Sequence, residues 1–177
     1  MVGPPRSGTS VTARILHEQL GICMGHKLYP GNAGNPKGFY EDSNLVDVIK
    51  TRDVGRVLQE LESNHAGCQK PVRGIKSPML SFMNFGYLNP DVVIRTIRDR
   101  SDVARSIVKW NQPPISYADA VHLVEKYEKG IDKGIRNGDL KKVHYLDLTH
   151  QEREEDIERE LRIASSPVVL AASTRGS

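Results

Sequence analysis

Strand-like and helix-like stretches alternate along most of these 177 residues, which predicts an α/β fold of three layers, a mostly parallel sheet with helices on both faces. Two stretches carry that expectation. Asp91 to Ile97 (DVVIRTI) is rich in β-branched residues and stops at charge, and Lys142 to Leu148 (KVHYLDL) alternates along its length. The segments between them repeat apolar residues three and four apart, the helical period, so the strands are expected to run parallel through crossovers. Sheets of this kind bind ligands beyond the carboxyl ends of their strands.

The other elements follow in order. Thr9 to Leu20 places Val11, Ala13, Ile15, Leu16 and Leu20 at helical spacing, and Gly21 follows where a helix stops. Residues 25 to 38 (GHKLYPGNAGNPKG) hold four glycines, two prolines and two asparagines, which predicts a long irregular loop of functional type. A helical pattern resumes from Asp42 through Leu45, Val48, Ile49, Val57, Leu58 and Leu61, with Gly55 as the expected break. Val72 to Ile75 reads as a short strand leading into Lys76-Ser77-Pro78. In the 78 to 90 segment Met79, Phe82, Met83, Phe85 and Tyr87 are expected in the core rather than along a pocket. Ser101 to Trp110 and Ser116 to Arg136 read as helices. Thr149-His150-Gln151-Glu152 is a capping-box signature for a last helix to Ile163, and the tail SSPVVLAASTRGS carries no assignable pattern.

Length and composition narrow the function classes. A chain of this size makes about one domain, so residues 1–177 are read as a single unit. The formal net charge is +3, from 25 basic and 22 acidic residues, which argues against a protein that neutralises many phosphates along a nucleic acid. One small anionic ligand fits better. No run of about 18 apolar residues is present, and MVGPPRSGTS lacks the basic head and apolar middle of a signal peptide. A cytoplasmic location without a membrane partner is therefore expected. Cys23 and Cys68 lack the paired spacing of a zinc site; one disulfide or two reduced thiols would fit, and the intracellular reading favours the thiols.

Two segments carry the chemistry. Gly3-Pro4-Pro5-Arg6-Ser7-Gly8-Thr9-Ser10 has the G-x-x-x-x-G frame of a phosphate-binding loop, but Thr9 stands where nucleotide kinases and ATPases place lysine. Backbone N–H groups from Arg6 to Ser10, opening a helix, converge on an anion with the helix dipole behind them. Gly8 permits close approach, Thr9 and Ser10 add hydroxyls, and Arg6 adds a planar donor that keeps its charge. Such a loop normally follows a strand of about five or six residues, yet only Met1 and Val2 precede Gly3, so the strand is expected to begin before Met1. The second segment, Arg98-Asp99-Arg100-Ser101-Asp102-Val103-Ala104-Arg105-Ser106, follows the DVVIRTI strand. Arg98 sits at the strand end and Ser106 about two helical turns later, within reach of one phosphate.

P-R-S-G-T-S opening a helix, with a strand followed by R-x-x-x-x-x-x-x-S, resembles the two phosphate-binding segments of sulfotransferases that use 3′-phosphoadenosine 5′-phosphosulfate. The resemblance implies a P-loop NTPase-like fold in which Arg6, Ser7, Gly8, Thr9 and Ser10 hold the 5′-phosphosulfate while Arg98 and Ser106 hold the 3′-phosphate. It implies 3′,5′-adenosine bisphosphate as product, no metal, and a small-molecule or glycan acceptor carrying a hydroxyl or amine. Family members carry Lys or Arg at the position of Arg6, which accounts for the missing kinase lysine. Asn35-Pro36-Lys37-Gly38-Phe39-Tyr40-Glu41-Asp42 is similar to the N-P-x-G-[FW]-x-E-D segment of bacterial members, and Lys76-Ser77-Pro78 to the K-[ST]-P segment of tyrosylprotein and heparan-type members, near the sulfuryl group. Asp147-Leu148 ends a strand that resembles the family's Y-E-D-L. The matches run in the family's order over residues 1 to 150.

Sulfuryl transfer requires a base for the acceptor proton. Glu41 is the leading candidate, Asp42 the second and His26 a weaker third; Arg6 and Lys76 complete the expected catalytic set. The sequence departs from the family in two places. Pro78 stands where cytosolic members place a histidine, so their base does not carry over, and no segment closing over the nucleotide is recognisable near Arg175-Gly176. Two other readings stay open: a phosphoryl-transferring P-loop kinase, against which Thr9 counts, and a non-catalytic relative that keeps the nucleotide site.

Overall fold

The computed structural model describes residues 1–83, 85–111, 113–138, 142–149 and 154–174, with only the backbone described at 64, 65, 85 and 167–174. The fold is mixed α/β. Its helices are α1 (Thr9–Glu18), α2 (Ser43–Thr51), α3 (Val54–Ala66), α4 (Arg100–Trp110), α5 (Tyr117–Asn137) and α6 (Glu154–Thr174). Its strands are β1 (Ile22–Cys23), β2 (Val72–Arg73), β3 (Val93–Ile97) and β4 (Val143–Asp147).

The strands form two parallel pairs. Ile22 lies opposite Val72 in β1–β2, and Val93 through Ile97 lie opposite Val143 through Asp147 in β3–β4. Met1 and Val2 stand between the pairs. Val2 bridges in parallel to Arg95 and exchanges backbone bonds with Ile94 and Thr96, while the Met1 amino group donates to Ile75 O at 2.6 Å. A cavity of about 760 Å³ is lined by Met1 and Val2 together with Val72 and Arg73 of β2 and Val93 and Ile94 of β3.

Because strand side chains alternate, Val93 and Ile94 point to opposite faces and seed different cores. Ile94 and Leu146 pack with α1 and α6 through Ile15, Leu16, Ile157 and Leu161. Val2 and Val93 pack with α2, α3 and α5 through Leu45, Ile49, Val57 and Ile131. A third cluster joins α4 to α5. Met83 belongs to the second core and Met79 packs against it, as expected, and Leu80 joins them, whereas Tyr87 is exposed.

Several expectations need correction. Cys23 and Cys68 are disulfide-bonded, because β1 and the chain after α3 bring their Cα atoms to 6.3 Å, within the reach of a bridge. The break between α2 and α3 falls at Arg52, which takes a left-handed φ of 59°, and Gly55 lies inside α3. The last helix continues past Ile163 to Thr174. His150, Gln151 and Glu152 of the capping-box signature, like Arg175 and Gly176, lie outside the described residues. No helix among the described residues is long and apolar enough to cross a membrane.

Candidate functional site

The phosphate-type loop turns into α1 through two left-handed residues, Arg6 at φ 68° and Gly8 at φ 90°. A side chain at Gly8 would displace the end of Leu148, the residue after β4, and the φ itself favours glycine there. Arg6 is a costlier occupant of that region, and strain held by the surrounding structure is typical of functional loops.

Arg6 reaches out of the loop to two distant segments. Its Nε donates to Ser106 Oγ at 3.1 Å and its Nη2 to Gly34 O at 3.0 Å. Its guanidinium also lies 6.0 Å from the Trp110 ring centre. Burial and the neighbouring Arg98 charge push the Arg6 pKa down. Among the described residues neither arginine has an ion-pair partner, and the two like charges lie close enough to repel at one end of β3 and α4. Arg98 is exposed at the end of β3, and Ser106 is half-buried on α4. The structure thus brings Arg6, Arg98 and Ser106 together, and α4 is started by Asp99, whose side chain accepts from Asp102 N at 3.0 Å.

The remaining loop residues divide. Ser7 turns inward: its N–H donates to Pro4 O, its Oγ donates to Pro4 O at 2.7 Å, and it shares a 2.9 Å bond with Thr96 Oγ1. Thr9 is buried in the first turn of α1, and Ser10 is half-exposed. Ser7 therefore shapes the loop, and its own N–H is already committed.

Ser10 links the loop to a buried ion pair. Lys76, only 4% exposed, donates from Nζ to Ser10 Oγ at 3.2 Å, to Phe39 O at 2.8 Å and to Glu41 Oε1 at 2.5 Å. All three ammonium donors are used. Burial lowers the Lys76 pKa and Glu41 opposes that shift. Asp42 faces the other way. It is 1% exposed and its carboxylate accepts from the N–H groups of His26, Lys27, Asn44 and Leu45, capping α2 and pinning residues 26 and 27. Those four bonds make Asp42 a structural carboxylate, which removes it as the second candidate base. His26 is exposed.

Residues 28 to 42, which take in most of the 25 to 38 segment expected to be irregular, form a hairpin. Leu28 pairs antiparallel with Asp42, Tyr29 N donates to Glu41 O at 2.9 Å, and Asn32 and Asn35 pair at the tip. Asn32 Oδ1 accepts from Gly34 N and Asn35 N, both at 2.9 Å, so the tip is internally rigid. Beside Glu41 the hairpin walls an open cleft of about 400 Å³, lined by Tyr29, Pro30, Gly31, Asn32, Phe39 and Glu41. Nothing in the sequence pattern signals this pairing except the asparagines and glycines that turns favour. Among the described residues no cluster of three or more His, Cys, Asp or Glu is arranged to hold a metal. Compared with models of known families, with curated proteins and with solved structures, the chain matches none.

Proposed function

We propose that the protein transfers a sulfuryl group from 3′-phosphoadenosine 5′-phosphosulfate to a hydroxyl or amine, on a P-loop-like three-layer fold. The observation that carries this reading is the meeting of Arg6, Arg98 and Ser106 at the mouth of the loop, with two guanidinium charges lacking any described carboxylate. An anion bound beside them relieves their repulsion, and a nucleotide with phosphate at both the 3′ and 5′ positions supplies one anion to each arginine. The open N–H groups at the start of α1 suit the 5′ side.

Arg6 stabilises the charge that builds on the bridging oxygen as the sulfur–oxygen bond to the 5′-phosphate breaks. Glu41 takes the acceptor proton while the acceptor oxygen forms its bond to sulfur, and the electron pair of the broken bond leaves with the adenosine bisphosphate. Lys76 holds Glu41 beside Ser10, between the donor loop and the cleft.

Release of 3′,5′-adenosine bisphosphate from the sulfated donor in the presence of a panel of alcohols and amines tests the reading. Acceptor-dependent release supports it; tight bisphosphate binding with no release from any acceptor would favour the non-catalytic relative.

A further inference from the structure

The hairpin that walls the cleft is seated at its tip, which meets Arg6, while Glu41 lies at its base. Gly34, at that tip, lies so close to the Trp110 indole that a Cβ there would meet Cε3 at 3.1 Å and Cδ2 at 3.3 Å. Two other ties hold the tip: the Arg6 bond to Gly34 O, and an ion pair of Lys37 with Glu154 on α6 at 2.8 Å. Their strengths differ. The Lys37 side chain is 64% exposed, and an exposed pair of this kind contributes at most about 1 kcal/mol. The Arg6 tie is a single bond from a guanidinium that also serves Ser106 and has further donors open to an anion. The Gly34–Trp110 contact depends on neither charge.

We propose that Trp110 is a positioning residue for the acceptor. By seating Gly34 it fixes the hairpin, and so sets Tyr29, Phe39 and Glu41 at the cleft. The base responds to the tip because the backbone pairs from Leu28–Asp42 to Asn32–Asn35 make the hairpin one unit, and because Phe39 O is a ligand of the Lys76 ammonium. This inference rests on the sulfuryl-transfer reading for the word acceptor, but the mechanical coupling stands apart from it.

Hydrogen exchange followed by NMR, with Trp110→Ala, Trp110→Phe and Gly34→Val, tests the coupling. Gly34→Val pushes the tip off the ring from the opposite side. The Tyr29 N–H, which bonds Glu41 O, is expected to exchange at least ten times faster in Trp110→Ala and Gly34→Val, and near the wild-type rate in Trp110→Phe. Because Arg6 touches both Gly34 O and the Trp110 ring, affinity for 3′,5′-adenosine bisphosphate is expected to change in these variants by less than the Tyr29 exchange rate does. With 4-nitrophenol as probe acceptor, KM should rise about tenfold in the first two variants while kcat changes less. Unchanged Tyr29 exchange in Trp110→Ala, or a loss of bisphosphate affinity larger than the change in exchange, overturns the inference and makes Trp110 an ordinary surface residue or a donor contact. A wild-type protein that fails to bind the bisphosphate, yet shows the exchange effect, would sink the proposed function and leave the coupling intact.

Discussion

The Arg6 guanidinium donates to Ser106 Oγ at 3.1 Å across a sequence separation of 100 residues, and so closes the phosphate-type loop against the helix that follows β3. A loop residue with that reach can stabilise a charge that moves during reaction, which the fixed backbone N–H groups cannot follow.

Arg6→Ala is therefore expected to lower kcat by about 10²-fold, the usual loss for one transition-state donor, and to raise the donor KM by less. Arg6→Lys should keep part of the rate, because charge survives while the planar fork does not. Steady-state kinetics over a range of donor concentrations checks this; a defect fully overcome by more donor would make Arg6 a ground-state binding residue.

The Lys76–Glu41 pair has side chains 2% and 14% exposed, so losing one partner is costly. Glu41→Ala is expected to destabilise the fold by about 3 kcal/mol, since it leaves the Lys76 ammonium buried without its counter-charge. Lys76→Met combined with Glu41→Leu should recover most of that loss. Lys76 already has a lowered pKa, and removing Glu41 lowers it further, so the Glu41→Ala deficit should shrink as pH rises toward the ordinary lysine value. Urea denaturation at pH 7 and pH 9.5 measures both; additive losses in the double variant would show that the two groups do not interact.

His17 Nδ1 accepts from Met24 N at 3.2 Å, and burial first, then the Lys70 charge, hold its pKa below 6.5, with Glu18 opposing. In the unfolded chain the imidazole protonates near 6.5, so between that value and the lower folded pKa the unfolded state binds more protons. Stability should fall as pH drops through this window. Wild type is expected to lose more of its denaturation midpoint between pH 7.5 and 5.5 than His17→Gln; equal losses would assign the acid sensitivity elsewhere.

Local pattern foretold the long elements and missed the long-range ones. Thr9 to Glu18 and Val93 to Ile97 were readable because period and β-branching are written in adjacent residues. β1, two residues long, carries no period, and its disulfide to Cys68 depends on a topology that brings together chain 45 residues apart. In sequence Glu41 and Asp42 stood as first and second candidates for the same role. Only the fold separates them, by sending one to four backbone N–H groups and the other to Lys76. Arg52 ends α2 in a conformation glycine prefers, so reading the break at Gly55 followed propensity where packing decided.

Calorimetric titration of 3′,5′-adenosine bisphosphate and of adenosine 5′-monophosphate, in EDTA, into wild type and Arg98→Ala tests the donor site most directly. The account predicts that wild type binds the bisphosphate more tightly than the monophosphate. It also predicts that Arg98→Ala weakens only the bisphosphate, by about 1.5–3 kcal/mol, as for a charged hydrogen bond. Equal weakening of both nucleotides, or no preference for the bisphosphate in wild type, would contradict it.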